Sequence, residues 1–169
     1  MAQASMYTLS IPVFDRILGN LAGILDKAAA HAEARKIDPA VLLGSRLYPD
    51  MFPLTRQVQI ACDFAKGCTA RLAGQQPPAY EDNEASFTDL KARIARTRQY
   101  IGTFAAAQID GSEDRVVELP MRGETLRIAG LPYLTNMVLP NFFFHATTAY
   151  AILRHNGIEL GKRDFVGAL

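Results

Sequence analysis

The apolar run from Leu139 to Gly157 leaves the fewest options for the fold. It reads Leu-Pro-Asn-Phe-Phe-Phe-His-Ala-Thr-Thr-Ala-Tyr-Ala-Ile-Leu-Arg-His-Asn-Gly. A helix that is apolar nearly all round has to be surrounded by other elements. At about 100° per residue, Asn141, His145, Thr148 and Ile152 fall within roughly 40° of one line. That polar line must find partners inside the protein or face a pocket, because a buried polar group without a hydrogen bond is costly. The run therefore predicts a buried helix and places a candidate site on it, without naming a reaction.

The elements to surround it are legible upstream. Pro12 suits a helix first turn, and Phe14, Ile17, Leu18, Leu21, Leu25 and Ala28 follow the three-four spacing to about Arg35. Asp38-Pro39 restarts a short helix limited by Gly44. Asp50 is the expected cap of a long helix from near Pro53 to Ala73, with Gly74 beyond its end. Its inward line is Leu54, Val58, Ala61, Ala65, Cys68 and Leu72. Gln57 lies about 60° off that line and is expected half-buried, whereas Arg56, Gln59, Asp63 and Lys66 are expected in solvent. Ser86 to Asp89 approximates a capping box, and Leu90, Ile94, Ile101 and Ala105 mark a third long helix ending near Gln108. The period then switches to two strands, Arg115 to Leu119 and Thr125 to Ala129, around Met121-Arg-Gly-Glu124. Gly130-Leu-Pro132 begins a further helical stretch, which Pro140 should break or kink, and Asn156-Gly157 ends the last helix. The expected architecture is one all-α domain over residues 1–169: a four-helix bundle with a small β-hairpin between helices three and four.

Composition narrows the function classes. With 18 basic and 17 acidic side chains, scattered along the chain, there is no electrostatic case for nucleic acid or anionic lipid. No window reaches the ~18 uninterrupted apolar residues of a membrane span, and the N-terminus lacks the basic start of a signal peptide. Cys62 and Cys68 lie on one helix, about 9 Å apart along its axis, too far for a disulfide. Free thiols fit a reducing cytoplasm, so a soluble cytoplasmic protein is expected.

Gly-rich phosphate loops, the Gly-x-Ser-x-Gly elbow, the His-Glu-x-x-His zinc motif and Cys-x-x-Cys pairs are all missing from the sequence. Of the three histidines, His31 sits beside Glu33 and Arg35 and reads as surface. His155 falls near a helix C-terminus, where it complements the dipole. His145 stands among Phe142, Phe143 and Phe144. It reads either as a buried neutral imidazole bonded to Asn141 or another helix, or as a metal ligand or proton carrier in a core pocket. A zinc, nickel or iron site needs at least three N, O or S ligands, and Asn141 and Gln57 offer only weak amide oxygens. Tyr150 and Arg154 lie on the opposite side of the same helix.

The blocks Leu47–Leu54, Arg56–Lys66 and His145–Gly157 resemble a bacterial family of unknown function, domain-of-unknown-function family nineteen-ninety-three, and the likeness runs from Ser10 to Phe165. That family in turn is similar to the DinB/YfiT-like bundles. The resemblance implies that fold and a homodimer. Many such bundles hold a divalent metal through one histidine on the second helix and two histidines four residues apart on the fourth, and some are thiol-S-transferases. Here His145 falls on the second of that pair, Asn141 on the first, and Gln57 or Gln59 on the second-helix position. Amides at two of three positions count against both metal and transferase activity.

Three readings follow, and whether the chain is an enzyme stays open among them. One is a metal-free homodimer that binds a small molecule through Gln57, Asn141, His145 and Thr148, or acts as an accessory protein. Another is a metal-dependent thiol-S-transferase-like enzyme, with zinc or nickel and His145 as the candidate catalytic residue. The third is a purely structural or interaction protein.

Overall fold

The computed structural model describes residues 4–121 and 123–168. Helix α1 (Ile11–Arg35) has Pro12 in its first turn and ends where Lys36 turns left-handed, its N–H returning to Ala32 and Glu33. Its Phe14, Leu18, Leu21, Leu25 and Ala28 are sealed from solvent. Asp38 caps the short α2 (Pro39–Leu43) by accepting from the Ala40 N–H at 2.9 Å. Helix α3 (Leu54–Leu72) starts from Pro53 with no side-chain cap, so the expected cap by Asp50 is not made. Gly74, at φ +72°, ends it in the left-handed conformation that glycine adopts without strain.

Helix α4 (Phe87–Ile101) is capped by Ser86, whose hydroxyl accepts from the Asp89 N–H. It is shorter than the apolar spacing predicts. The chain turns after Ile101, buries Phe104 against Tyr100, and begins a separate α5 (Ala106–Ile109). Gln108 accepts from the Ala105 N–H at 2.8 Å and so starts that second helix. Burying a phenyl ring is worth about 1.5–3 kcal/mol, enough to outweigh a few residues of helix continuity.

Strands β1 (Val116–Met121) and β2 (Glu124–Ala129) pair antiparallel, Val116 with Ala129 through Met121 with Glu124. Both run closer to the turn than their alternation indicates. Val117 and Leu119 point into the core. The chain then enters α6 (Gly130–Pro132), a π-helical segment (Tyr133–Val138) and α7 (Leu139–His155) without a break. Gly130 is required at this corner, because a Cβ there would lie 2.0 Å from the Ser112 carbonyl oxygen. The break expected at Pro140 does not occur. Proline lacks the N–H and its ring crowds the preceding turn; the wider π turn just upstream accommodates both defects.

Helix α7 packs along α3, α3 and α1 both pack on α4, and α1 also meets α7. The Phe14 and Phe142 rings meet edge to face at 4.9 Å. The short α8 (Lys162–Val166) closes onto α1, where Asn20 donates to the Phe165 carbonyl and Lys27 pairs with Asp164. The architecture is thus mostly helical with one small antiparallel sheet. No helix among the described residues is long and apolar enough to cross a membrane.

Candidate functional site

The interior of the α3–α7 contact carries one polar pair. His145 Nδ1 and Gln57 Oε1 are 2.7 Å apart, and the Gln57 amide nitrogen donates to the Phe52 carbonyl at 3.0 Å. That second bond orients the amide, so its oxygen faces the imidazole and accepts from Nδ1–H. The other ring nitrogen, Nε2, is left with a lone pair. It has no protein partner among the described residues and is not sealed from solvent, although His145 as a whole is 9 % exposed. The Phe64 ring lies nearly parallel to the imidazole at 6.1 Å, and the Phe144 ring meets it edge-on at 5.2 Å. Burial, aided by the positive charge of Arg56, pulls the His145 pKa below its ordinary value. A neutral, orientation-locked imidazole with one open acceptor results.

The rest of the stripe does not join this pair. Asn141 Nδ2 donates to the Met137 carbonyl and Thr148 Oγ1 to the Phe144 carbonyl, each at 2.7 Å and one turn back along the same helical run. Both polar groups are therefore satisfied without a pocket or a neighbouring helix. Gln57 is 1 % exposed, fully buried rather than half-buried. On α3 the residue that faces His145 is Gln57. Gln59 turns to the other flank, where it donates to Glu84 at 2.7 Å.

That other flank holds a cluster that the helical pattern does not reveal. Arg93 on α4, its side chain 2 % exposed, meets Asp63 at 2.9 Å, Asp82 at 3.0 Å, Glu84 at 2.9 Å and the Glu81 carbonyl at 2.9 Å. Lys66 bonds to Asp63 at 3.0 Å, and Arg56 reaches Asp82. The Tyr80 ring lies under Lys66 and Arg96, each 3.9 Å from its centroid. Gln59 and Lys66 are consequently buried, against the expectation that they are solvated. Burial works against the Arg93 charge, but Glu84 and Asp63 more than offset it and hold the guanidinium firmly protonated. The one signal in the sequence is that Arg93 and Thr97 fall on the same helical face as Leu90, Ile94 and Ile101, which does not identify their partners.

The remaining candidates lie apart. His31 is half-buried beside Lys27 and Glu159, and His155 is exposed in the last turn of α7. Tyr150 packs on Phe165 and Arg154 is exposed. Cys62 and Cys68 are free and buried, and burial pushes the Cys62 thiol up to about 12, so neither is a ready nucleophile.

The donors around His145 do not fit a zinc or nickel centre. Gln57 Oε1 is spent on Nδ1–H and Asn141 donates to its own helix, which leaves a single free nitrogen. No group of three or more His, Cys, Asp or Glu among the described residues converges on one point.

Residues 6–166 match the family described as Domain of unknown function (DUF1993). The chain belongs to that family. It also superimposes, with a TM-score of 0.87, on the 1.83 Å crystal structure of a DinB family member protein from Shewanella denitrificans. The two sequences are 43 % identical, and the match covers 96 % of this chain and 92 % of that one. No curated protein matches the chain. This DUF1993 chain is therefore DinB-like in fold, with an amide-buttressed histidine on the α3–α7 seam.

Proposed function

We propose that this DUF1993 chain is a four-helix DinB-like bundle that works as a metal-free, cytoplasmic homodimer and binds a small molecule at His145. One observation carries the reading: the Gln57 bond locks Nδ1–H and leaves Nε2 an acceptor without a partner among the described residues, on an imidazole flanked by the Phe64 and Phe144 rings. Buried polar atoms mostly have a partner; an oriented, open nitrogen beside one stacked and one edge-on phenyl ring suits a ligand that has a flat apolar body and one donor. Gln57 positions the imidazole, His145 accepts from the ligand, and the two phenyl rings cover its body. Asn141 and Thr148 share the helix face of His145 with their polar groups bonded to carbonyls one turn back.

The test is nitrogen-detected NMR of the imidazole with phenol, indole and thiophenol as probes. The free protein should show a protonated Nδ1 and an unprotonated Nε2, and at least one probe should shift Nε2 in the wild type but bind no longer to His145→Phe. An Nε2 resonance unmoved by all three probes overturns the binding reading. Turnover of a thiol with an electrophile that depends on His145 would replace it by an enzyme in which the same nitrogen takes the thiol proton. The homodimer is checked by light scattering, where a monomer near 18.5 kDa contradicts it.

A further inference from the structure

The hairpin and the π segment meet over the C-terminal half of α3 and line an open cavity of about 300 Å³. Its middle is apolar, made by Phe64, Leu119, Pro120 and Met137. Asp63 lies toward one end and Arg71 with Tyr133 toward the other, about 12 Å further along the α3 axis. Asp63 is already held by Arg93 and Lys66. Arg71 is different. Among the described residues, the other arginines that are not fully exposed, Arg56, Arg93 and Arg98, all have carboxylate partners, whereas Arg71 has none. Its one hydrogen bond there is from Nη1 to the Tyr133 hydroxyl oxygen at 3.2 Å.

Tyr133 is 2 % exposed and uses its oxygen as the acceptor, so its own O–H has no acceptor among the described residues. Burial pushes its pKa up to about 12, and it stays a donor at neutral pH. Gly67, one turn before Arg71, leaves the space that the guanidinium fills; a Cβ there would lie 2.6 Å from Nη1. A cation and a phenol donor, both short of an acceptor among the described residues, thus share one end of a cavity whose middle is apolar.

We propose that this cavity binds a small organic carboxylate with an apolar body. The carboxylate takes charge-assisted hydrogen bonds from Arg71 and the free proton of Tyr133. The body lies against Phe64, Leu119, Pro120 and Met137. A single unpaired cation with Asp63 further along favours a monoanion over a dianion such as phosphate. The Arg71–Tyr133 end of the cavity lies away from the His145 acceptor, since Tyr133 is twelve residues back along the same helical run, and the Phe64 ring borders both sites.

The experiment is titration calorimetry of the full chain with 3-phenylpropionate, 3-phenylpropan-1-ol, acetate and phenyl phosphate. The acid should bind with a Kd below about 1 mM and at least tenfold more tightly than each of the other three. Arg71→Gln should weaken it at least tenfold and Tyr133→Phe several-fold. Gly67→Ala should weaken it while leaving the helix at least as stable, because alanine is the better helix former. Arg127→Gln removes the same charge from the exposed face of the hairpin and should change nothing. Thermal melts of each variant establish that it is folded, and if Arg71→Gln does not fold, Tyr133→Phe and Gly67→Ala decide. Equal binding of acid and alcohol, wild-type affinity in the folded Arg71→Gln protein, or no binding of the acid at about ten times that concentration overturns the proposal.

Discussion

The two flanks of α3 carry polar clusters of opposite character. On the α4 side, Arg93 is surrounded by Asp63, Asp82 and Glu84, with Lys66, Arg56 and Tyr80 closing the ring; all its donor groups but Nε are engaged. On the α7 side, a neutral imidazole and a neutral amide share one hydrogen bond, and Nε2 has no protein partner among the described residues. A cluster whose charges are balanced from within the chain ties the chain together, here the loop of residues 73–86 onto α3 and α4. A cluster with an open valence can act on something else. In the proposed function, unfilled hydrogen-bonding capacity rather than charge marks the site.

The largest expected effect tests the charged side. Arg93→Ala should lower stability by about 3 kcal/mol, because it takes the cationic partner from the buried Glu84, leaving it only the Gln59 amide, and one of two from Asp63, which keeps Lys66, and urea unfolding measures the loss. If the loss is below about 1 kcal/mol, the cluster is a solvated surface network and the contrast fails. On the neutral side, Gln57→Leu should cost about 1–3 kcal/mol by leaving the His145 Nδ1–H buried and unpaired. The double change Gln57→Leu with His145→Phe should recover most of that loss, since it removes both polar groups; failure to recover would mean that the pair is more than mutually satisfied.

Acid sharpens the same comparison. The native His145 pKa lies below the unfolded value of about 6.5. Between the two, the unfolded chain holds a proton that the native chain does not, so stability rises with pH through that window. Stability is intact above about pH 6.5 and falls as pH drops below it, by about 1.4 kcal/mol per unit of depression at most. The difference in urea midpoint between wild type and His145→Phe should shift in that direction from pH 7.5 to pH 5. The smallest effects belong to the rest of the stripe. Asn141→Leu and Thr148→Val remove groups bonded only to their own helix, and each should change stability by less than about 1 kcal/mol. A loss several times larger would place them in a wider polar network.

Much of this architecture was legible in residue order. Helix faces such as Phe14–Leu18–Leu21–Leu25 and Leu54–Val58–Ala61–Ala65 depend on a 3.6-residue period, a local property. The hairpin was legible for the same reason, since alternation and a nearby glycine are local signals. The errors came where a distant partner outweighed the local rule. Phe104 found a buried place and ended α4 early, and a π turn absorbed Pro140. Lys66 and Gln59 were drawn under the loop of residues 73–86 by Glu84, Asp63 and Tyr80.

Order along the chain, by itself, determined that His145 would sit on the most apolar helix with amide-bearing residues one turn away and on α3. Tertiary structure decided that Gln57 rather than Gln59 would meet it, that Asn141 and Thr148 would turn back on their own helical run, and that Arg71 would face Tyr133 with no carboxylate partner among the described residues. The physical reason is the range of the interactions. Helical periodicity is set within a few residues, whereas a hydrogen bond of about 3 Å between side chains from different helices depends on how far each helix is rotated about its axis. That rotation is an outcome of packing the whole core together.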